Sequence, residues 1–250
     1  MSSNKIAVIT GASRGIGAET AKLFAKNGYA VCVNYLSNKA AAENVANDIT
    51  QAGGKCIIVQ ADISIGSEVK KLFETVDREL GCISVLVNNA AILKTQARLE
   101  DISEERINEI LKLNVTGSFL CCKEAVKRMS TKHGGVGGAI VNVSSGAAKS
   151  GSPNEYIDYA ASKGALDTLT KGLSLEVAAE GIRVNGVRPG LIYTDMHTSG
   201  GEPGRVDRLK TKIPMQRGGQ AIEIAEAILW LASDKASFAT GSFIDLAGGL

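Results

Sequence analysis

Short Val- and Ile-rich runs alternate with longer segments of helical pattern along this chain, and that alternation constrains its fold more than any other feature. The runs are "KIAVIT" (5–10), "AVCVNY" (30–35), "KCIIVQ" (55–60), "ISVLVN" (83–88), "AIVNVS" (139–144), "IRVNGV" (182–187) and "SFIDLA" (242–247). They are nearly continuously apolar, which suits strands buried on both faces of a parallel sheet. Between them the pattern predicts helices near 15–27, 38–52, 66–80, 103–130, 155–180 and 220–232. Gly28, Gly53 and Gly181 stand where three of these helices would end. A βαβα alternation of this kind means an α/β doubly wound sheet of about seven strands with helices on both faces.

Nothing divides the 250 residues into parts: there is no Pro/Ser-rich linker, repeat or composition break, so residues 1–250 read as a single domain. The exception to regular patterning is 195–219, "DMHTSGGEPGRVDRLKTKIPMQRGG", read as a long irregular loop with a functional role at the substrate. With 28 basic against 26 acidic residues, the charge balance points to neither a nucleic-acid surface nor an acidic tail. The apolar run in "MSSNKIAVITGAS" is too short for a secretion signal, and no segment reaches the ~20 apolar residues of a membrane span. Cys32, Cys56, Cys82, Cys121 and Cys122 are odd in number and lack a C-x-x-C pair, so they read as free thiols of a reducing cytoplasm. Cys121 and Cys122 are adjacent, and a helix would point them to different faces. His133 and His197 have no carboxylate or cysteine at metal-ligand spacing and read as solvated loop residues; no metal site is expected.

The first strand runs into "TGASRGIG" (10–17), which opens a helix. Glycines there permit a tight turn and let backbone N–H groups approach a pyrophosphate, with the helix N-terminus facing the negative charge. Gly11, Ser13, Arg14, Gly15, Ile16 and Gly17 are the candidate residues of this turn. An acid at the end of the second strand would bind a ribose 2′-hydroxyl and repel a 2′-phosphate. This strand ends "VNYLSNKA", with Asn34 and Tyr35 in the acid's place and no carboxylate before Glu43. The Arg14 guanidinium suits a phosphate, and Ser37 and Asn38 add hydrogen-bonding capacity. The reading is NADP, with NADPH preferred over NADH.

The other chemical signal is "EYIDYAASKGALDTL" (155–169). Residues four apart share a helix face, with Cβ atoms ~5–6 Å apart. Tyr159 and Lys163 are such a pair, whereas Tyr156 has Ala160 at that spacing. A carbonyl reduced by hydride needs a proton on its developing alkoxide. Bringing a phenol from its ordinary pKa of about 10 to about 7 takes ~4 kcal/mol, and a nearby ammonium supplies part of it. Ser145 follows the fifth strand, at the carboxyl end where such sheets bind ligands. Asn114, in "LKLNVTGSF", is an indifferent helix former inside a long predicted helix, so its place there needs a reason.

Taken in order, "TGASRGIG", "NNAA" (88–91), "NVSS" (142–145), "YAASK" (159–163) and "RPGLIYTDM" (188–196) resemble the motifs of the short-chain dehydrogenase/reductase family over nearly the whole chain. Ala91 stands where the family's N-N-A-G element ends in glycine. The resemblance implies a Rossmann-type fold. It also implies cofactor contacts from Asn89 and Ala90, adenine contact at Asp62 with Ile63, and a nicotinamide-closing element of Pro189, Gly190, Ile192 and Thr194. Further implications are the second serine, Ser145 rather than Ser144, as the acting hydroxyl; Lys163 on the nicotinamide ribose as well as beside Tyr159; and Asn114 holding a water that relays protons to Lys163. A homotetramer is implied too, with the C-terminal "TGSFIDLAGGL" forming one contact. The predicted helices at 103–130 and 155–180 carry apolar residues beyond one stripe, among them Leu111, Phe119 and Leu175.

The expected function is therefore an NADP-dependent oxidoreductase interconverting an alcohol and a carbonyl. Its catalytic residues would be Asn114, Ser145, Tyr159 and Lys163, and its substrate a sugar, a polyol or a small carbonyl compound. The overall look resembles glucose/ribitol-dehydrogenase-like members and 3-oxoacyl carrier-protein reductases. The latter commonly carry arginine where this chain has Leu175, although Lys127, Arg128 and Lys132 lie nearby. A dinucleotide-sensing binding protein is the non-enzyme alternative; it would not need the four catalytic candidates together.

Overall fold

The computed structural model describes residues 5–250. Residues 1–4, where the stretch read for a secretion signal begins, lie outside the described residues. Seven strands form one parallel sheet: β1 (Ile6–Ile9), β2 (Ala30–Tyr35), β3 (Cys56–Gln60), β4 (Val85–Asn88), β5 (Gly138–Val143), β6 (Ile182–Pro189) and, last in the chain, β9 (Phe243–Leu246). Their order is β3-β2-β1-β4-β5-β6-β9, so the direction of winding reverses between β1 and β4. Ligands of such sheets bind outside the carboxyl ends of the strands at that reversal.

Strand residues alternate between two cores, as the two-residue period requires. Ile9, Val31, Val33, Val87 and Val141 face α1 (Gly15–Lys26), α2 (Lys39–Gln51) and the late helix α10 (Ala221–Ala232). Val8, Cys32, Leu86, Ile140 and Val184 face α3 (Gly66–Glu79), α5 (Ser118–Met129) and α7 (Ile157–Val177). Gly28, Gly53 and Gly181 follow α1, α2 and α7 with φ of +83°, +80° and +78°, the left-handed conformation of a helix stop.

Three elements depart from the sequence-based expectation. The long helix expected over 103–130 is broken into α4 (Glu104–Leu111) and α5 by a π-helical stretch, Lys112–Gly117, that contains Asn114. The helix expected from 155 begins only at Ile157, so Tyr156 is its N-cap residue and not part of its face. The 195–219 segment is not structureless. It holds two short helices, α8 (Met196–Ser199) and α9 (Arg205–Leu209), and its ends are pinned by a small two-stranded pair, β7 (Ile192–Tyr193) with β8 (Gly219–Gln220). One more short helix, α6 (Ala147–Ser150), sits between β5 and α7. Among the described residues no helix is long and apolar enough to cross a membrane.

Candidate active site

Two connected cavities open along the carboxyl ends of the strands. The first, of about 430 Å³, runs over the glycine turn and is lined by Gly11, Ser13, Arg14, Gly15, Ile16, Asn34, Tyr35, Ser37, Asp62, Ile63, Asn89 and Ala90. The second, of about 680 Å³, lies over β5 and α7 and holds Ser145, Tyr159 and Lys163, with Pro189, Gly190, Ile192 and Thr194 along one wall. Ile16, Asn89, Ala91, Leu93, Thr194 and Met196 line both, so the two form one continuous groove.

The glycine turn is built for close approach. Gly11 has φ +60°, and a Cβ there would lie 2.8 Å from Ala90 Cα; at Gly17 it would lie 2.5 Å from Asn89 Nδ2. That nitrogen donates to Thr10 O at 2.9 Å and Gly11 O at 3.0 Å, while Thr10 Oγ1 accepts from the N–H groups of Asn89 and Ala90 at 3.0 Å. The "NNAA" segment is thus a clamp on the back of the turn. The turn leads into the N-terminus of the 12-residue α1, where unpaired backbone N–H groups and the helix dipole favour an anion. A bare backbone cradle of this shape, continuous with a long groove, fits a dinucleotide.

Not every candidate on this side has a free side chain. Asn34 is buried: its Oδ1 accepts from Gly11 N at 3.2 Å and its Nδ2 donates to Val59 O at 3.3 Å and Ala61 O at 3.1 Å. It therefore shapes the turn instead of presenting a group to the groove. Asn38 caps α2, accepting from Ala41 N at 3.0 Å, and Asp62 Oδ1 caps its own turn, accepting from Ser64 N at 2.8 Å. Arg14 is exposed at the edge of the first cavity and pairs with no carboxylate among the described residues. Ser37 is exposed beside it.

On the second side, Tyr159 and Lys163 are both buried. Ser144 and Ser145 both line the cavity beside Tyr159. Ser144 Oγ donates to Lys163 O at 3.4 Å, and Ser145 Oγ accepts from Ala147 N at 3.1 Å, which leaves the Ser145 hydroxyl hydrogen for a partner in the cavity. Burial pushes the Tyr159 phenol up to about 12, against the Ser145 hydrogen bond, and brings the Lys163 ammonium down to about 8, with the Asp167 charge opposing. The protein by itself does not deliver a phenol near neutrality. Lys163 Nζ lies 5.5 Å from the Tyr159 ring centroid and donates to Val143 O at 2.8 Å, so the ammonium is beside the ring but not bonded to the phenol oxygen. Desolvation then dominates.

The Asn114 amide is fully committed: Oδ1 accepts from Ile92 N at 2.8 Å, and Nδ2 donates to Ile92 O at 3.1 Å and Ser162 Oγ at 3.0 Å. The π-helical stretch turns this side chain inward, where it ties the 89–93 segment to α7. Single-turn π segments recur at functional sites.

Three features of the substrate end escaped the sequence reading. Tyr156, set aside for lack of a partner, is buried in the cavity wall, donates its OH to Gly200 O at 3.2 Å, and lies under Arg205 at 5.1 Å. Arg205 is itself buried and binds both oxygens of Glu155 as well as Glu202; Glu202 also holds Arg208 and Gln96. His197 is not a solvated loop residue. It lines the cavity, and its Nε2 lies 2.9 Å from Ile192 O, so Nε2 carries the hydrogen; Nδ1 is buried without a partner among the described residues, and burial lowers the ring's pKa. The only available signal was residue type: a segment holding Arg205, Arg208 and Arg217 with Glu202 and Asp207 can pair. Between α6 and α7, Gly151, Ser152 and Asn154 take φ of +72°, +47° and +62°. The rim is therefore a strained turn, costly for the two non-glycine residues.

A sheet of this order, a glycine turn opening a helix at the point of reversal, and a serine–tyrosine–lysine cluster across the groove define a Rossmann-type dinucleotide oxidoreductase. The comparisons agree. A family model described as Enoyl-(Acyl carrier protein) reductase matches residues 11–250. An uncharacterized oxidoreductase of Escherichia coli, YgfF, is 66% identical over 244 residues, covering 98% of this chain and 99% of that protein. The 3-oxoacyl-[acyl-carrier-protein] reductase FabG of Staphylococcus epidermidis is 37% identical, covering 99% of both chains. The crystal structure of a short-chain type dehydrogenase/reductase from Mycobacterium marinum superposes with a TM-score of 0.91 at 35% identity, covering 99% of this chain and 95% of the other. The chain belongs to the short-chain dehydrogenase/reductase family, whose members use NAD(P) nicotinamide cofactors.

Proposed function

We propose that this protein is an NADP-dependent oxidoreductase that reduces a small carbonyl compound to an alcohol, or runs the reverse, with Tyr159 as general acid/base. The observation that carries this reading is the convergence of Ser145, Tyr159 and Lys163 in a cavity continuous with the glycine-turn groove. The nicotinamide, when bound, supplies or accepts the hydride. Ser145 donates to the substrate oxygen and orients it. Tyr159 gives its proton to the developing alkoxide, or takes it from the alcohol. Lys163 lends positive charge to the phenol and reaches the ribose. Asn114 acts on this reading by fixing the segment at Ile92 against α7; a water relay would have to use groups other than its amide N–H, since those are spent. Arg14 and Ser37, exposed at the edge of the first cavity and with no acid at the end of β2, would hold a 2′-phosphate, which supports NADP.

The cavity favours one part of the substrate range. Among the charged side chains that line it, Lys149, Arg188, Arg205, Glu155 and Asp245 are held in ion pairs, while Lys212 has no carboxylate partner among the described residues. A polyol would bury hydroxyls without partners, at a cost of ~1–3 kcal/mol each. A carbonyl on an apolar body, against Leu93, Tyr156, Leu191, Met196 and Leu209, would not. On this reading the 195–219 segment is the substrate lid.

The second reading, a 3-oxoacyl carrier-protein reductase, is favoured by the FabG relatives. Its basic docking residues are already engaged: Lys127 with Glu124 at 2.7 Å, Arg128 with Asp77 at 2.7 Å, and Lys132 with Glu180 at 2.6 Å. Leu175 is 69% exposed on the same helix layer. The five cysteines are all free, which supports a cytoplasmic setting. Ile110, Leu166 and Val177 are buried within the chain, while Leu111, Phe119 and Leu175 stay exposed, which supports a homotetramer with a dimer as the smaller alternative.

Turnover of butane-2,3-dione, ethyl acetoacetate, an acetoacetyl thioester, glucose, ribitol and sorbitol, each with NADP(H) and NAD(H), tests these readings. Turnover of the small ketones with NADPH is expected. Activity confined to the polyols, or to the thioester, would replace the substrate reading, and no turnover with any would remove the enzyme reading.

A further inference from the structure

Asp167 lies one helical turn beyond Lys163 on α7, so the two side chains share a face with Cβ atoms about 5–6 Å apart. Its side chain is only 18% exposed. Oδ2 accepts from Arg188 Nε at 2.9 Å. Oδ1 is sealed from solvent and has no hydrogen-bond partner among the described residues. A buried carboxylate oxygen without a donor is costly, so this placement calls for a return elsewhere.

The surroundings indicate what the return is. Arg188, from β6, also reaches Asp245 of β9 at 3.3 Å, and Asp245 pairs with Lys149 of α6 at 2.9 Å. Charges of alternating sign thus run Lys163, Asp167, Arg188, Asp245, Lys149 across four elements. At the inner end, Lys163 lies beside the Tyr159 ring and donates to the Val143 carbonyl of β5, with Asp167 one turn further along its own helix. Burial drives the ammonium toward its neutral form, and Asp167 is the group that works against this.

We propose that Asp167 is a positioning residue for the acid–base pair, opposing loss of the proton from Lys163 and so favouring Tyr159, once the oxidised cofactor is bound, as the group that gives it up. The inference rests on the roles assigned to Tyr159 and Lys163 above. The first proton to leave a coupled pair comes from one of two places. Leaving the phenol, it creates a phenolate beside an ammonium, which is a competent base. Leaving the ammonium, it creates a phenol beside a neutral amine, which is not. A negative charge one turn from the lysine and two turns from the tyrosine favours the first arrangement. Arg188 holds that carboxylate in place through Nε.

The sign of the effect makes the test decisive. Acting on Tyr159 directly, Asp167 would raise the phenol's pKa, and its removal would lower it. Acting through Lys163, its removal raises it. The readout is the phenolate ultraviolet band of the NADP-saturated enzyme, with the Tyr159→Phe spectrum subtracted to isolate Tyr159. Asp167→Asn and Asp167→Ser, two neutral residues that still accept from Arg188, are each expected to show roughly tenfold less Tyr159 phenolate at a given pH. Asp167→Glu is expected to restore the wild-type titration. Asp245→Asn, which cuts the same ion chain farther out, leaves the titration in place. Melting temperature and NADPH binding confirm folding, and the serine variant stands in if the asparagine variant does not fold. A phenolate titration unmoved or moved to lower pH in the neutral variants, or one moved equally by Asp245→Asn, overturns the inference. Full turnover by Tyr159→Phe would instead overturn the acid–base reading beneath it.

Discussion

Replacing Arg106 with methionine takes a cation out of α4 while keeping most of the bulk. The guanidinium holds Asp158 through Nε at 2.6 Å and Nη2 at 3.3 Å, and Thr95 O through Nη1 at 2.7 Å. The pair is well buried, with side-chain exposures of 15% for Arg106 and 3% for Asp158. Without Arg106, the carboxylate keeps one donor, the N–H of Tyr159 at 2.8 Å. Breaking a buried pair by removing one partner costs ~3–5 kcal/mol. Arg106 retains some contact with water and Thr95 O can be solvated, so the lower end applies, ~3 kcal/mol. At ~2–4 °C per kcal/mol for a domain of this size, melting should fall by ~6–12 °C. Because Asp158 opens the first turn of α7, immediately before Tyr159, turnover should fall as well while NADPH affinity stays near wild type. The assay is urea and thermal unfolding of Arg106→Met, Asp158→Leu and the double variant, with NADPH titration alongside. The double variant should recover much of the loss, since no buried charge is then left alone. A single-variant cost below ~1 kcal/mol, or a double variant no better than Arg106→Met, would refute the reasoning.

Tyr159→Phe is expected to abolish turnover with NADPH binding intact; Tyr156→Phe, which loses only the bond to Gly200 O, should retain turnover and lose ~1 kcal/mol of stability. Equal loss in both would undo the assignment. Arg14→Ala should weaken NADPH roughly 10- to 150-fold, the worth of a charge-assisted contact, and NADH little; an unchanged NADPH/NADH ratio in parallel titrations excludes Arg14 as the phosphate reader. Gly17→Ala places a methyl 2.5 Å from Asn89 Nδ2 and should cost ~1–3 kcal/mol of stability, with a loss of NADPH affinity; normal melting and binding would mean the clamp can give way. Light scattering at micromolar concentration should report a tetramer, and a clean mass near the 26.1 kDa of one chain rules out tetramer and dimer together.

The sheet was legible because a strand buried on both faces has to be apolar along its whole length, and runs such as "AVCVNY" leave no other reading. The glycine turn was legible because part of its constraint is local: Gly11 and Gly15 have φ of +60° and +57°, and a Cβ at Gly17 would lie 2.6 Å from Gly11 O, whereas the crowding of Gly11 by Ala90 comes from a distant segment. The π-helical stretch was legible only as an anomaly. Asn114 sat where a helix former was expected, but a change in hydrogen-bond register leaves no composition of its own. The lid was illegible for a different reason. Helices as short as α8 and α9 have too few turns to show a period, and what holds them is pairing between distant residues, Arg205 with Glu155 and Gln96 with Glu202. The Tyr159 phenol belongs in the same group. Spacing shows that Lys163 shares its face, but the balance between ammonium and burial is set by how completely the groove excludes water.

The two cavities spend their polar groups in opposite ways, and that difference bears on what each can bind. Around the glycine turn, the side chains that shape the backbone are satisfied internally, while Arg14 and Ser37 stand exposed at the edge and the α1 N-terminus offers backbone N–H groups. That surface is prepared for a charged, extended ligand. Around the second cavity Lys149, Arg188, Arg205, Glu155 and Asp245 are held in ion pairs, and the 195–219 segment is tied to the turn before α7 through Glu155 and to the 92–98 segment through Gln96. What this leaves for a ligand is a largely apolar wall with Ser145 and Tyr159 at its base and His197 Nδ1 and Lys212 as its polar exceptions. Binding energy then comes mainly from the cofactor side, and selectivity on the substrate side comes from shape and the exclusion of unpaired polar groups. On the function proposed above, an enzyme arranged in this way is expected to accept compact ketones in preference to hydroxyl-rich ones, a ranking the turnover panel would show directly.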